Sequence, residues 1–323
     1  MLHNFPRSRW RSPLTHSPAA YAGPTPPIDA LLTTWRADPV TIAVLVGAAL
    51  LYALGLRRAQ RRGVGWPAHR TVLFFTLGLG SYAVIELGFL GTWSADLRWA
   101  FVARIALLLM AVPGLISLGR PLDLLRAGLS DAGRRRVDTV LDGRVFRVLG
   151  NAMFATIFVA ATFCVFLTPL AGVLRTSPVI GEGIGVGALV IGLLLVVPLM
   201  ALTGVHTSTF LAVEFLLAFV ELVIDSVPGI LLRLNDTVVD GVAAATRAGW
   251  WPNPLHDQHL AGDLLWFIAE VADVPILILL LVRWGRRDRV EAADFDALTD
   301  EEHEALVQAH LRGERGGGEP ARG

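Results

Sequence analysis

The sequence predicts an all-α, polytopic membrane protein: a seven-transmembrane helix bundle with its N-terminus outside and its C-terminus in the cytoplasm. Of its 323 residues, 54% are hydrophobic and only 17% are charged, and the mean hydropathy is +0.56. Soluble domains are about one quarter charged. Seven stretches are apolar over the roughly 20 residues that a helix needs to cross a bilayer. Arginines gather in alternate loops between these stretches, which indicates the orientation.

The apolar stretches begin and end at recognisable signals. The first opens at Asp38-Pro39, a pairing typical of a helix start. The third contains Pro113, which a membrane helix tolerates because neighbouring groups satisfy the freed backbone. The seven predicted spans lie near residues 39–56, 71–91, 99–119, 147–171, 179–202, 208–232 and 260–283.

The arginine distribution favours cytoplasmic placement of the 57–70 loop, the 120–147 loop and the segment after residue 283. The 57–70 loop alone has five arginines, whereas the opposite loops together carry only Arg98, Arg175, Arg233 and Arg247. The N-terminal tail is also basic, but the inner loops outnumber it.

Composition also suggests three regions. Residues 1–37 are rich in Pro, Ser and Arg and are expected to be a disordered tail. Residues 38–285 form the transmembrane domain. Residues 286–323 form a cytoplasmic tail, in which Thr299 followed by Glu302 predicts a short helix near 299–312.

Several function classes are disfavoured at this level. The net charge is zero, so we expect no nucleic-acid partner and take the lipid bilayer as the environment. All basic residues are Arg, which is typical of a GC-rich bacterial genome. Together with the predicted spans, a bacterial origin predicts a multi-pass protein of the bacterial cytoplasmic (inner) membrane. The single cysteine, Cys164, excludes a Cys-pair metal site. No nucleophile–base pair or nucleotide motif is present, so we expect no enzyme activity.

Ionisable residues inside the predicted spans raise a functional question, because each costs roughly 2.5–3.5 kcal/mol if it faces lipid. Glu86 and Arg104 lie at similar depth and are expected to pair. Residues 214, 221 and 225 share one helix face, and residues 270 and 273 share another. The set suggests either a hydrated path for a cation or protons, or structural contacts with one ion pair; it comprises Glu86, Arg104, Glu214, Glu221, Asp225, Glu270 and Asp273.

A candidate metal site precedes the last span. His256 and His259 are spaced to share a helical turn, and Asp257 adds an oxygen ligand. A solvated helix start is the alternative. The glycine-rich run 181–187 lacks the lysine and strand of a phosphate loop and predicts close helix packing.

Several short motifs together resemble the CtaG-like cytochrome c oxidase assembly factors of bacteria. The resemblance covers residues 35–294 and is most specific before and within the last span. Its elements are Trp35 with Asp38-Pro39, Tyr52, Gly65-Trp66-Pro67 with Arg70, Pro113, Leu118-Gly119-Arg120-Pro121, Thr168-Pro169-Leu170, the signature residues Asp257, Gln258, Ala261, Gly262 and Trp266, and Arg283-Trp284.

The resemblance implies seven helices and a protein that assists haem–copper oxidase maturation, with copper as the possible cofactor. Cytochrome c oxidase subunits or other respiratory-chain proteins would be its partners. The sequence departs from the family where intramembrane histidines are expected, near Phe101, Ile105, Phe166 and Ile230. Two alternatives therefore stand beside copper handling: a cation or proton transporter that uses the acidic residues, and a metal-free structural partner of a respiratory complex.

Overall fold

The computed structural model of the chain describes residues 26–149, 151–201, 208–242 and 253–296. Within these ranges every regular element is a helix and no strand occurs. We number the helices in chain order: α1 Ile28–Thr33, α2 Pro39–Arg61, α3 Ala68–Trp93, α4 Arg98–Leu118, α5 Pro121–Gly128, α6 Asp131–Leu141, α7 Arg144–Leu149, α8 Ala152–Cys164, α9 Leu170–Thr176, α10 Pro178–Ala201, α11 Ser208–Leu234 and α12 Pro254–Asp296.

The all-helical prediction is confirmed, and a helix occupies each of the seven predicted segments. Three helices, α2, α3 and α4, are long and apolar enough to cross a membrane. A fourth candidate consists of Phe154–Leu167 and α9, which meet at a bend of 84°. The seven-span topology and its orientation stay predictions.

The predicted terminal regions fall mostly on residues outside the described ranges. Residues 1–25 and the expected helix near 299–312 are among them. Within the predicted N-terminal tail, α1 forms a short helix. At the other end, α12 continues through the predicted boundary at 285 to Asp296. The three-region division stays a prediction.

Side-chain caps fix where the helices begin. Asp38 precedes Pro39, and its Oδ2 accepts a hydrogen bond from the Thr41 amide at 3.0 Å, which satisfies one of the free N–H groups at the helix start. Burial acts to raise the pKa of Asp38, but the bonds from Thr41 and the charge of Arg36 outweigh it, so that the pKa lies below its ordinary value. Asn151 caps α8 in the same way, accepting from the Phe154 amide at 3.1 Å.

Helix α4 lies at the centre of the described bundle. Of its most apolar stretch 67% is buried, against 11% for α2. Its turn Leu107–Ala111 is π-helical, just before Pro113, whose ring cannot donate a backbone hydrogen bond and displaces the preceding turn. Gly192 of α10 packs here: a Cβ on this residue would lie 2.3 Å from the Leu109 carbonyl oxygen. Only glycine permits that approach.

Motifs from three parts of the chain meet where α4 ends. The Tyr52 hydroxyl donates to the Gly119 carbonyl at 3.0 Å and accepts from the Trp66 indole at 3.2 Å. A Cβ on Gly119 would lie 2.5 Å from the Cβ of Phe74. Arg120 then takes a left-handed φ of 48°, which turns the chain into α5. These residues of the family resemblance therefore hold a tight helix–helix corner.

The chain divides into two compact units. The first comprises residues 1–203 and 220–273 and contains all the sites described below. The second comprises residues 204–219 and 274–323. Within the second unit, the rings of Phe215 and Trp284 lie 6.3 Å apart between centroids.

Candidate functional site

Asp257, in the first turn of α12, fastens that helix to the start of α4. Its Oδ2 accepts from the Arg98 amide at 2.9 Å and its Oδ1 accepts from the Trp99 amide at 3.0 Å. One carboxylate thus caps the N-terminus of a helix 159 residues earlier in the chain, where free amides favour negative charge. Asp257 is only 1% exposed. Burial raises its pKa, although the two amides and the charges of Arg98 and Arg175 act against that rise.

Two arginines and Asp240 extend this contact into a buried charge network. Arg98 Nη2 lies 2.5 Å from Asp240 Oδ1, and Arg175 Nη2 lies 3.1 Å from Asp240 Oδ2. Arg98 also donates to the Val242 carbonyl. Burial acts to raise the pKa of Asp240, but the bonds from Arg98 and Val242 and the two positive charges dominate, and its pKa lies below its ordinary value. The network contains two arginines, Arg98 and Arg175, and two aspartates, Asp240 and Asp257, so its formal charge is zero.

Gln258 holds the loop that carries Asp240. The side chain is fully buried; its Nε2 donates to the Thr237 carbonyl and its Oε1 accepts from the Val239 amide, both at 2.9 Å. The Gln258 side chain thereby bonds the backbone of the loop as a neighbouring β-strand would.

A small cavity lies inside the network. Its volume is about 20 Å³, room for about one water molecule. Arg98 and Arg175 both line it, and among the described residues their Nε atoms have no hydrogen-bond partner. The polar lining consists of these arginines with Asp240 and Gln258, and the apolar lining includes Phe101 and Phe166.

The apolar side of the cavity is where the family resemblance places histidines. Phe101 and Phe166 meet there edge to face, with ring centroids 5.9 Å apart and planes at 86°. Aromatic rings in this arrangement pack well but offer no metal ligand. Ile230, at another such position, is 41% exposed.

The predicted metal ligands are engaged in other contacts. Both oxygens of Asp257 accept backbone hydrogen bonds, and His259 Nε2 lies 3.1 Å from the Asn235 carbonyl oxygen. In the described part of the chain, no group of three or more His, Cys, Asp and Glu side chains is arranged to hold a metal ion. Within the described residues these side chains are thus not arranged as a copper site, and a metal at His256, Asp257 and His259 stays a prediction.

The other signature residues serve packing. Ala261 is fully buried and lines the cavity. A Cβ on Gly262 would lie 2.6 Å from the Gly229 carbonyl oxygen, and one on Gly229 would lie 2.8 Å from the Gly262 carbonyl oxygen. Helices α11 and α12 therefore cross with their backbones in contact. Trp266 is half-exposed, and its indole donates to Glu270 at 2.7 Å.

A second buried ion pair joins α3 to α4. Arg104 Nε donates to Glu86 Oε1 at 3.0 Å, and Nη2 donates to Oε2 at 2.7 Å. The remaining N–H groups of Arg104 reach Ser94 Oγ at 3.2 Å and the Gly181 carbonyl at 3.3 Å. All five donors of the guanidinium thus have acceptors. The two side chains pair, as the sequence predicts.

The glycine-rich run of α10 covers this pair. A Cβ on Gly185 would lie 2.1 Å from Glu86 Oε1 and 2.6 Å from Arg104 Nη2. Close helix packing is therefore the role of Gly185, whereas a Cβ on Gly183 would meet nothing within 4 Å.

Three of the predicted intramembrane acids come together in the first unit. Asp225 interacts electrostatically with Glu221 and Asp273. We call these three residues the acidic cluster. Glu270 is bound to Trp266 instead, and the side chain of Glu214 lies outside the described residues.

Comparison with known proteins decides the family. The model of the cytochrome c oxidase caa3 assembly factors matches residues 50–287, which is more than half of the chain. The chain belongs to this family. The match runs from α2 into α12 and so contains the charge network, the Glu86–Arg104 pair and the acidic cluster.

This chain is also similar to three mycobacterial proteins. Uncharacterized proteins of Mycobacterium bovis and Mycobacterium tuberculosis are each 26% identical over 293 residues, which is 88% of this chain and 44% of theirs. One from Mycobacterium leprae is 25% identical over 87% of this chain. The chain thus spans less than half the length of these relatives. No solved structure matches it.

Sequence reasoning missed three members of the network: Arg98, Arg175 and Asp240. In the sequence the two arginines are simply among the few that the opposite loops carry, and Asp240 stands in a loop without a motif. A usable signal was present, because a charged residue directly beside an apolar span is expected to be solvated or paired. Which residues pair could not be read, since 142 residues separate Arg98 from Asp240.

Proposed function

We propose that this protein assists the maturation of a haem–copper oxidase in a bacterial cytoplasmic membrane, which it crosses seven times with its N-terminus outside. The family match over residues 50–287 carries the proposal. Oxidase subunits or other respiratory-chain proteins are the partners that this role requires.

The contacts favour a role through protein association over resident copper chemistry. The side chains of the signature residues Asp257 and Gln258 form hydrogen bonds that hold α4, α12 and the 237–242 loop together. Where histidines are expected, Phe101 and Phe166 form an apolar pair. A rigid, charge-balanced end of the bundle is suited to present a fixed surface to a partner.

Deletion of the gene tests the assembly role. We expect loss of cytochrome c oxidase activity and of its haem absorbance in isolated membranes, restored by the wild-type chain. Restoration should fail with Asp257→Ala, whose network is broken, and succeed with Asp263→Asn, which alters an exposed ion pair. Normal oxidase in the deletion strain would refute the proposal.

Metal content tests the mode of action. After copper loading, the detergent-purified chain and its His256→Ala/His259→Ala variant are compared by mass spectrometry. We expect equal, substoichiometric copper in both. Near-stoichiometric copper that is lost in the variant would contradict a metal-free role and establish the predicted ligand site.

A further inference from the structure

The acidic cluster combines carboxyl groups from two helices that are in backbone contact. Glu221 and Asp225 lie one turn apart on α11, and Asp273 lies on α12. The Gly229–Gly262 crossing holds these helices together close by. Asp225 interacts electrostatically with both other acids, and Asp273 interacts with Glu221.

The two aspartates have oxygen atoms that nothing in the described residues satisfies. Asp225 is 1% exposed, and its Oδ1 is buried without a hydrogen-bond partner; Asp273 Oδ2 is in the same situation. Glu221 is different, because the Thr156 hydroxyl on α8 bonds its carboxyl group. A buried acceptor without a donor costs about 1–3 kcal/mol, and more when it is charged.

No positive charge compensates these groups in the described part of the chain. The charges that act on Asp225 and Asp273 are those of other acids alone. Thr156 is the polar group that α8 contributes, and Glu270 of α12 is bound to Trp266. The buried arginines are committed elsewhere: Arg104 to Glu86, and Arg98 and Arg175 to Asp240.

An unpaired carboxylate in an apolar interior costs several kcal/mol, and a neighbouring carboxylate adds repulsion. Binding a proton removes both costs and supplies the missing donor. A metal ion would need converging ligands, and no described group of three or more acidic, histidine or cysteine side chains is arranged for one.

We propose that the acidic cluster is a proton-binding site within the helix bundle, in which Asp225 and Asp273 are held as neutral carboxylic acids at neutral pH. The ligand is the proton itself, exchanged with water. This inference is independent of the assembly role, because it concerns only the charge state of α11 and α12.

Infrared spectroscopy of the full chain in detergent tests the proposal directly, since protonated and ionised carboxyl groups absorb at different frequencies. At neutral pH, Asp225→Asn and Asp273→Asn should each lose the carbonyl intensity of one carboxylic acid. Asp263→Asn is the matched control on α12, because Asp263 is half exposed and lies 3.1 Å from the Arg233 guanidinium; it should leave that band unchanged.

Stability supplies the second readout. The amide of Asn has the size and neutrality of the protonated acid, so both variants should fold and melt at or above the wild-type temperature. Failure of both to fold would contradict the proposal. So would an unchanged carboxylic-acid band in both variants, or a stoichiometric metal ion that the wild type retains and Asp225→Asn loses.

Discussion

The Glu86–Arg104 pair offers a quantitative test of how this bundle is held together. Both side chains are at most 2% exposed. Because the pair is buried, no water can replace the two hydrogen bonds if one partner is removed. Glu86→Gln leaves the guanidinium charged and buried but removes the negative charge beside it. Ser94 and the Gly181 carbonyl remain as its other acceptors. Removing one member of a buried pair costs about 3–5 kcal/mol, and we expect that loss in the free energy of unfolding.

The double variant Glu86→Gln/Arg104→Met separates the charge effect from packing. It removes both charges and, since replacing a whole buried pair is often neutral, it should recover most of the loss. The assay is reversible unfolding in mixed micelles, with all four members of the mutant cycle measured. The exposed pair Arg233–Asp263 is the control: Asp263→Asn should cost no more than about 1 kcal/mol. Additive single-variant losses, with no recovery in the double variant, would refute this reasoning.

Further predictions use thermal unfolding in detergent unless stated otherwise. Gly185→Ala should destabilise by about 1–3 kcal/mol because its Cβ overlaps the ion pair, whereas Gly183→Ala, with open space around it, should be neutral or gain about 0.5–1 kcal/mol; equal effects would contradict the packing described. Gly262→Ala should cost a similar 1–3 kcal/mol or so through the α11–α12 crossing. Asp257→Ala should cost about 1–3 kcal/mol for each amide that it leaves unbonded, and a loss below that range would show that water replaces the cap. The pKa of Asp240 lies below its ordinary 3.8, so its stabilisation is complete above that pH and is lost as pH falls below it; Asp240→Asn should be less stable near neutrality but flatter in acid unfolding.

The sequence predicted the local features of this fold well. Hydropathy located a helix at each expected segment, Asp38-Pro39 was a true helix start, and counting residues from the helix ends paired Glu86 with Arg104. These succeed because depth along a helix is linear in residue number at 1.5 Å per residue. The helical period of 3.6 residues likewise predicts that Glu221 and Asp225, four residues apart, share one face of α11.

The network around Asp240 could not be predicted, because it depends on the order of helices around the bundle. Asp257 is recognisable in the sequence as a signature residue, but an aspartate suits both metal binding and helix capping. Only the position of the Arg98 and Trp99 amides shows that Asp257 is a cap. The role of Gly262 likewise needs its neighbour Gly229, since a lone glycine in a helix indicates no partner.

The Asp257 cap has a consequence for how the chain is completed during synthesis. Helix α4 is made long before Asp257 leaves the ribosome, since 159 residues lie between the two ends of this contact. Until α12 is synthesised, water must accept the hydrogen bonds of the Arg98 and Trp99 amides. The N-terminal end of α4 therefore stays hydrated until then. A chain shortened before α12 therefore lacks this cap, and the start of its α4 stays solvated.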